Sequence, residues 1–229
     1  MDKVDFLDVP SLHPHHKGYR VVFEKDYKNL GLERKEQKFF ENLYVNIQEH
    51  PQQYLEELIQ FYQRHPSIPE AANLLAFAYL KAKKRKEAEE LIEKTYLKHP
   101  DYLIARINYA DQMLRFKKKE WVPIVFNNCF DLNLLYPSRG TFHYSEFRGF
   151  MTLMGFYHLE REEREKAEEY YQLAFQVDPL HPSVAALEKK LSKRSFLIDF
   201  GHWRELISRL LSLKISQLLQ KLARISKNR

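Results

Sequence analysis

Histidine is the residue type whose spacing in this chain most invites a chemical reading. His13, His15 and His16 crowd one short stretch, and His-Pro recurs at His50-Pro51, His65-Pro66, His99-Pro100 and His181-Pro182. Imidazoles grouped this way could ligate a divalent metal or relay protons. The first cluster has no cysteine beside it and no helical spacing, so it defines no coordination set. The His-Pro pairs have a plainer chemistry. A histidine in the last turn suits the negative end of a helix, and the following proline stops the helix because it lacks an N–H and clashes with the preceding turn. The lone cysteine, Cys129, cannot form an internal disulfide or a cysteine-based zinc site, and reads as a small buried apolar residue. The chain carries no Gly-rich phosphate loop, no G-x-S-x-G and no H-E-x-x-H. The expectation is a chain with no catalytic residues, no metal and no cofactor.

The elements that would position any functional side chain are helices. The chain has only 6 glycines in 229 residues and is rich in Lys, Glu, Leu and Ala, a composition that favours helix over turn-rich β architecture. Proline punctuates it at Pro51, Pro66, Pro100, Pro137, Pro179 and Pro182, so the segments between are candidate helices or helix pairs. Residues 1–34 have weak periodicity and read as an N-terminal arm, partly irregular, with one short extended piece at Tyr19–Phe23. Residues 35–192 form the helical body, in which 183–194 reads as a capping helix with Val184, Leu187 and Leu191 on one face. Residues 193–229 read as a basic amphipathic C-terminal helix.

Pro66 and Pro100 lie 34 residues apart, and the unit between them has a distinctive interior. Its first helix begins at Pro69 and carries Ala72, Leu75, Ala76 and Tyr79. Its second carries Ala88, Ile92 and Thr95. Two antiparallel helices approach closely only where small side chains such as Ala76 and Ala88 sit at the crossing. A second unit ends at Pro179, with Met151, Met154, Gly155 and His158 followed by Ala167, Tyr171 and Ala174. Between them lies a degenerate unit: Tyr109, Ala110 and Met113, then Val122 and Phe126, and a lengthened connection over Leu132–His143. A weaker unit ends at Pro66 with Tyr54, Leu58 and Phe61. The aromatic run Phe142, Tyr144, Phe147, Phe150, Phe156 and Tyr157 reads mainly as core.

In these residues and their spacing, the chain over roughly 35–192 resembles the tetratricopeptide repeat family. The resemblance implies an all-α fold, a right-handed α-solenoid of antiparallel helix pairs, followed here by the C-terminal amphipathic helix. It also implies that the first helices of successive units line a groove that takes a peptide or helix of a partner protein. On this sequence the groove residues would be Glu70, Asn73, Phe77, Leu80 and Lys81, then Ile104, Ile107, Asn108, Asp111 and Arg115, then Thr152, Phe156 and Leu159. Phe77, Leu74 and Leu153 stand where family members that grip a terminal carboxylate need polar groups, which argues against that specialisation.

Charge separates the tail from the body. The chain has 37 Lys and Arg against 31 Asp and Glu; residues 203–229 hold 7 of those bases and 1 of those acids, leaving 30 of each in residues 1–202. Helically spaced apolar residues from Phe200 to Ile225 run beside the bases. The candidate contact residues of the tail are Trp203, Arg204, Leu206, Arg209, Leu210, Lys214, Lys221 and Arg224. Three roles stay open for it: docking on an anionic membrane surface, pairing with a second copy into a homodimer, or folding back on the body. With a charge-balanced body, nucleic acid is the poorest partner. No secretory signal or spanning segment is visible, so the expected location is cytoplasmic, peripheral to a membrane if the tail docks there. The function expected is a non-catalytic scaffold or adaptor. The alternatives are a membrane-docked adaptor and a secretion chaperone of the same repeat type.

Overall fold

The computed structural model of the chain describes residues 6–12, 17–24 and 30–192. The expected C-terminal helix, with Trp203, Arg204, Leu206, Arg209, Leu210, Lys214, Lys221 and Arg224, lies outside the described residues, as do His13, His15 and His16.

The described chain is mostly helical. Its helices are α1 (Arg34–Glu49), α2 (Leu55–Arg64), α3 (Pro69–Lys81), α4 (Arg85–Lys98), α5 (Leu103–Arg115), the short α6 (Trp121–Val125) and α7 (Leu132–Leu135), then α8 (Tyr144–Glu160), α9 (Arg164–Val177) and α10 over residues 182–192. Proline behaves as expected: Pro69 opens α3 at a first-turn position where its missing N–H costs nothing. His50, His65 and His99 are the residues that close α1, α2 and α4, each donating its N–H to the carbonyl four residues back. His181 departs from the pattern. It precedes α10 rather than ending α9, and its Nδ1 accepts from the Ser183 N–H at 3.2 Å, so it caps the start of a helix.

The second helices α4 and α9 bury the same spacing of residues, Ala88, Leu91, Ile92 and Thr95 in one and Ala167, Tyr170, Tyr171 and Ala174 in the other. This i, i+3, i+4, i+7 stripe faces the partner helix of each pair. The turns between paired helices also repeat. Lys83, Lys117 and Glu162 all have φ between 62° and 66°. After each, an N–H reaches back five residues: Lys84 to Tyr79, Lys118 to Met113 and Glu163 to His158. This is the left-handed helix stop that satisfies the last carbonyls of a helix. Lys83 and Lys117 stand 34 positions apart and Lys117 and Glu162 stand 45 apart. The extra residues fall in the insertion after α6.

That insertion is where the structure departs from an all-α expectation. The arm forms two strands, β1 (Phe6–Val9) and β2 (Tyr19–Val22), paired antiparallel, and β2 pairs in parallel with β3 (Phe142–His143). Val9, Tyr19, Val21 and Phe142 are buried, and Tyr19 packs against Phe147 with ring centroids 5.2 Å apart. The insertion is held from several sides. Tyr136 donates to the Asp101 carbonyl at 3.0 Å, Asn133 donates to the Lys17 carbonyl at 2.9 Å, and the Phe130 carbonyl accepts from Tyr170 at 2.9 Å. Asp131, itself buried, accepts from the Asn133 and Leu134 N–H groups and starts α7. Cys129 is half-buried rather than buried, with its thiol 3.5 Å from the Asp131 carbonyl.

Phe142, Phe147, Phe150 and Tyr157 are core as expected, while Tyr144 and Phe156 are only partly covered. At the far end, α10 buries Val184, Leu187 and Leu191, the residues expected of a capping helix. Gly155 of α8 meets Leu187: a Cβ on Gly155 would lie 2.5 Å from the Leu187 Cδ2. The small residue expected at a crossing therefore serves the α8–α10 contact.

Candidate functional site

The face of α3 that carries Glu70, Asn73 and Phe77 presents residues at i, i+3 and i+7, which one side of a helix aligns. Ile104, Asn108, Asp111 and Arg115 do the same on α5. The two faces lie side by side, and Asn108 Nδ2 donates to Asn73 Oδ1 at 2.7 Å. With them, Leu74, Ile107 and Leu80 give an apolar floor to a groove of about 710 Å³. The structure thus brings together nine of the expected groove residues: Glu70, Asn73, Phe77, Leu80, Ile104, Ile107, Asn108, Asp111 and Arg115.

Four others stand apart from this groove. Lys81 is exposed at the rim, its ammonium 5.4 Å from the Phe77 ring centroid. Thr152 is buried, and its hydroxyl donates back to the Arg148 carbonyl at 2.9 Å. Phe156 is partly buried beneath Lys190 of α10, whose ammonium lies 5.1 Å from the ring centroid. For Phe156 the cause is α10, which packs on Gly155 and Phe156 of α8. Leu159 is buried as well.

The third wall comes instead from the first turns of α8, with Tyr144, Ser145, Arg148 and Gly149. Tyr44 and Gln48 of α1 add a flank, and Val22 and Glu24 of the arm close one end together with Tyr102, Arg139 and Thr141. Sequence reasoning missed these residues. Their only sequence signals are the aromatic run beginning at Phe142 and the long connection before it. A capping box fixes where α8 begins: His143 accepts from the Ser145 N–H, and Glu146 accepts from the His143 N–H at 3.0 Å.

Several charged groups in the groove are paired with one another. Arg139 donates to both carboxylate oxygens of Glu146, at 2.6 and 3.3 Å. Arg148 donates to Asp178 at 2.6 Å, and Arg115 to Asp111 at 3.0 Å. Burial, and then the nearby Glu70 and Glu146 carboxylates, hold the Tyr102 hydroxyl well above its ordinary value. At the other end, burial, and then the Arg148 charge, push His181 down against a weaker upward pull from Asp178. The Tyr102 hydroxyl therefore stays protonated as a hydrogen-bonding group, and the neutral form of His181 is favoured. Asn73 and Asn108 spend one donor and one acceptor on each other. Whichever way the two amides are assigned, one donor group and one acceptor remain for a ligand.

Among the described residues, no group of three or more His, Cys, Asp or Glu side chains is placed to hold a metal ion. No helix among them is long and apolar enough to cross a membrane.

No known family model and no curated protein matches the chain. Two solved structures share part of its shape. One is MamA, residues 41 to the end, from Desulfovibrio magneticus RS-1, at 17% identity over 80% of this chain and 97% of that one, with a TM-score of 0.45. The other is a double mutant of MamA from RS-1, at 17% identity over 72% of this chain and 97% of that one, with a TM-score of 0.42. At these scores neither match decides the fold or the function. The assignment of helix pairs rests on the repeated turns and crossings described above.

Proposed function

We propose that this chain is a non-catalytic protein-interaction scaffold whose tetratricopeptide-like helix pairs continue one another as a right-handed solenoid. In this reading the groove across α3, α5 and the start of α8 holds a peptide or helix of a partner protein, and the protein works as a cytoplasmic adaptor. The observation that carries the proposal is the pairing of an apolar floor with the Asn73–Asn108 amide couple. An amphipathic peptide needs apolar contact for its anchor side chains and a donor–acceptor pair for a peptide unit, and the groove offers both side by side. The self-neutralised ion pairs on its walls favour shape and backbone recognition over a single strong charge contact. A concave site that sets an apolar floor beside spare amide groups supports peptide binding.

A displayed random-peptide library panned against the full chain tests this reading. Peptides enriched on the natural chain should lose at least about tenfold in affinity on a Phe77→Lys, Asn108→Ala variant, because a buried apolar contact and a hydrogen-bond pair are both lost. Peptides that bind both chains equally would place recognition elsewhere and end the proposal.

A further inference from the structure

The balance of 30 bases and 30 acids in residues 1–202 conceals an uneven surface. The turn from α3 to α4 reads Lys81, Lys83, Lys84, Arg85 and Lys86, and the turn from α5 to α6 reads Arg115, Lys117, Lys118 and Lys119. Neither run contains an acid, and every one of the nine side chains is exposed. The repeated turn geometry puts the two runs on one edge of the molecule. Arg115 Nη1 lies 3.9 Å from Glu89 Oε1 of α4, and Lys119 Nζ donates to the Glu160 carbonyl at the next turn at 2.9 Å. The corresponding run after α8, from Arg161 to Lys166, has as many acids as bases, so the cationic edge belongs to the first two turns.

Large apolar side chains project beside it. Phe116 and Trp121 flank Lys117, Lys118 and Lys119, and they are 40% and 38% exposed; Ile124, one turn beyond Trp121 on α6, is 57% exposed. These side chains put part of their apolar surface in solvent beside the lysines. Lysines that reach headgroup phosphates, with aromatic rings at the level of the headgroups, are the ordinary chemistry of contact with a charged bilayer.

We propose that this edge, from Lys81 to Lys86 and from Arg115 to Ile124, docks on an anionic lipid surface with Phe116, Trp121 and Ile124 entering the interface. Lipid fits better than nucleic acid. Seven of the nine cations are lysines, which act as point charges; the two arginines are held by Glu89 at 2.7 Å and Asp111 at 3.0 Å, while Lys84, Lys86 and Lys117 make only looser contacts of 3.8–3.9 Å with Glu87, Glu90 and Glu160. The forked contacts that grip a phosphodiester backbone are therefore committed, and Ile124 has no ring on which a base could stack. The inference shares Arg115 with the groove and otherwise rests on residues that neither the groove proposal nor the tail expectation uses.

Tryptophan fluorescence reads this edge directly. The chain has two tryptophans, Trp121 and Trp203, so a full-length Trp203→Phe variant leaves Trp121 as the sole reporter. It would be titrated with vesicles of phosphatidylcholine containing about one third phosphatidylserine, with and without brominated acyl chains. The expected result is a blue shift of Trp121 emission, quenching by the brominated lipid, and reversal at high salt. Lys84→Gln, Lys86→Gln and Lys118→Gln in the same background should each weaken binding by about fivefold, the effect of one basic residue near a charged bilayer. If a lysine variant loses its far-UV spectrum, the salt series on the Trp203→Phe chain carries the test alone. Vesicle binding with Trp121 emission unchanged, no vesicle binding at all, or a response of Trp121 to homopolymer RNA and not to vesicles would each overturn the proposal.

Discussion

Tyr19→Ala is the substitution that best probes how the arm and the insertion build the groove. The Tyr19 side chain is 2% exposed, lies edge-on to Phe142 at 6.4 Å between ring centroids, and packs at 5.2 Å from Phe147. Its hydroxyl is hydrogen-bonded to Asp131, and burial followed by that carboxylate's charge holds it in the protonated state. Removing a ring from so enclosed a site costs about 3–5 kcal/mol, and leaving Asp131 short of a partner costs about 1–3 kcal/mol more. The helices do not absorb all of this. Of the arm's described residues only Val9, Tyr19 and Val21 are buried, so the loss falls mainly on the docking of β1 and β2. The arm should open before the helices melt. Limited trypsin digestion should then cut at exposed Lys17 and Arg20 at least about tenfold faster than in the natural chain, and the urea midpoint followed by circular dichroism should fall as well. Because Val22 and Glu24 close one end of the groove, peptide affinity should fall in the same variant. Cleavage rates within twofold and an unmoved midpoint would refute the idea that Tyr19 locks the arm to the insertion.

Two further substitutions address the far half of the molecule. Leu187→Ala should cost about 2–5 kcal/mol by chemical denaturation, since Leu187 is fully buried against Gly155; a loss under about 0.5 kcal/mol would mean that α10 does not cap α8. His158 and Glu163 set a pH dependence. His158 Nδ1 and Glu163 Oε2 are 2.6 Å apart; that contact is the main force taking Glu163 down to about 2, while burial, outweighing the same contact, keeps His158 below its usual value. A lowered histidine and a lowered carboxylate both favour the folded chain at neutral pH. The histidine contribution declines as pH drops below about 6.5, and the carboxylate contribution drains away below about 4.5, toward 2. Urea midpoints should therefore fall in two stages on acidification, and Glu163→Gln should abolish the lower one; an unchanged lower stage in that variant would assign it to other carboxylates.

Much of the helical body was legible because its determinants are local. Pro69, His99-Pro100, Ala76 and Ala88 encode where helices start, stop and cross, and each acts within a few residues of itself. The nine groove residues on α3 and α5 follow from the resemblance to the repeat family, whose inner-face pattern carries onto this sequence. Of the sheet only the middle strand was legible, as the extended piece expected at Tyr19–Phe23. Its third strand is two residues long and pairs with Val21 and Val22, some 120 positions earlier, and strands of four and two residues carry no measurable alternation. Phe156 was misplaced for a related reason. The repeat register puts it on the inner face, but α10 packs on it, and a covering helix leaves no mark on the sequence it covers. The cationic edge was hidden by net-charge accounting, which averages lysines at two turns with acids elsewhere on the helices.

The central claim is that the groove on α3, α5 and the start of α8 is the protein-binding surface. Amide chemical-shift mapping of the full chain, titrated with a peptide selected on it, tests that most directly. The resonances moving most should belong to Asn73, Phe77, Ile104, Asn108 and Arg148. Shifts confined to the outer faces of α4 and α9, with those five unmoved, would contradict it.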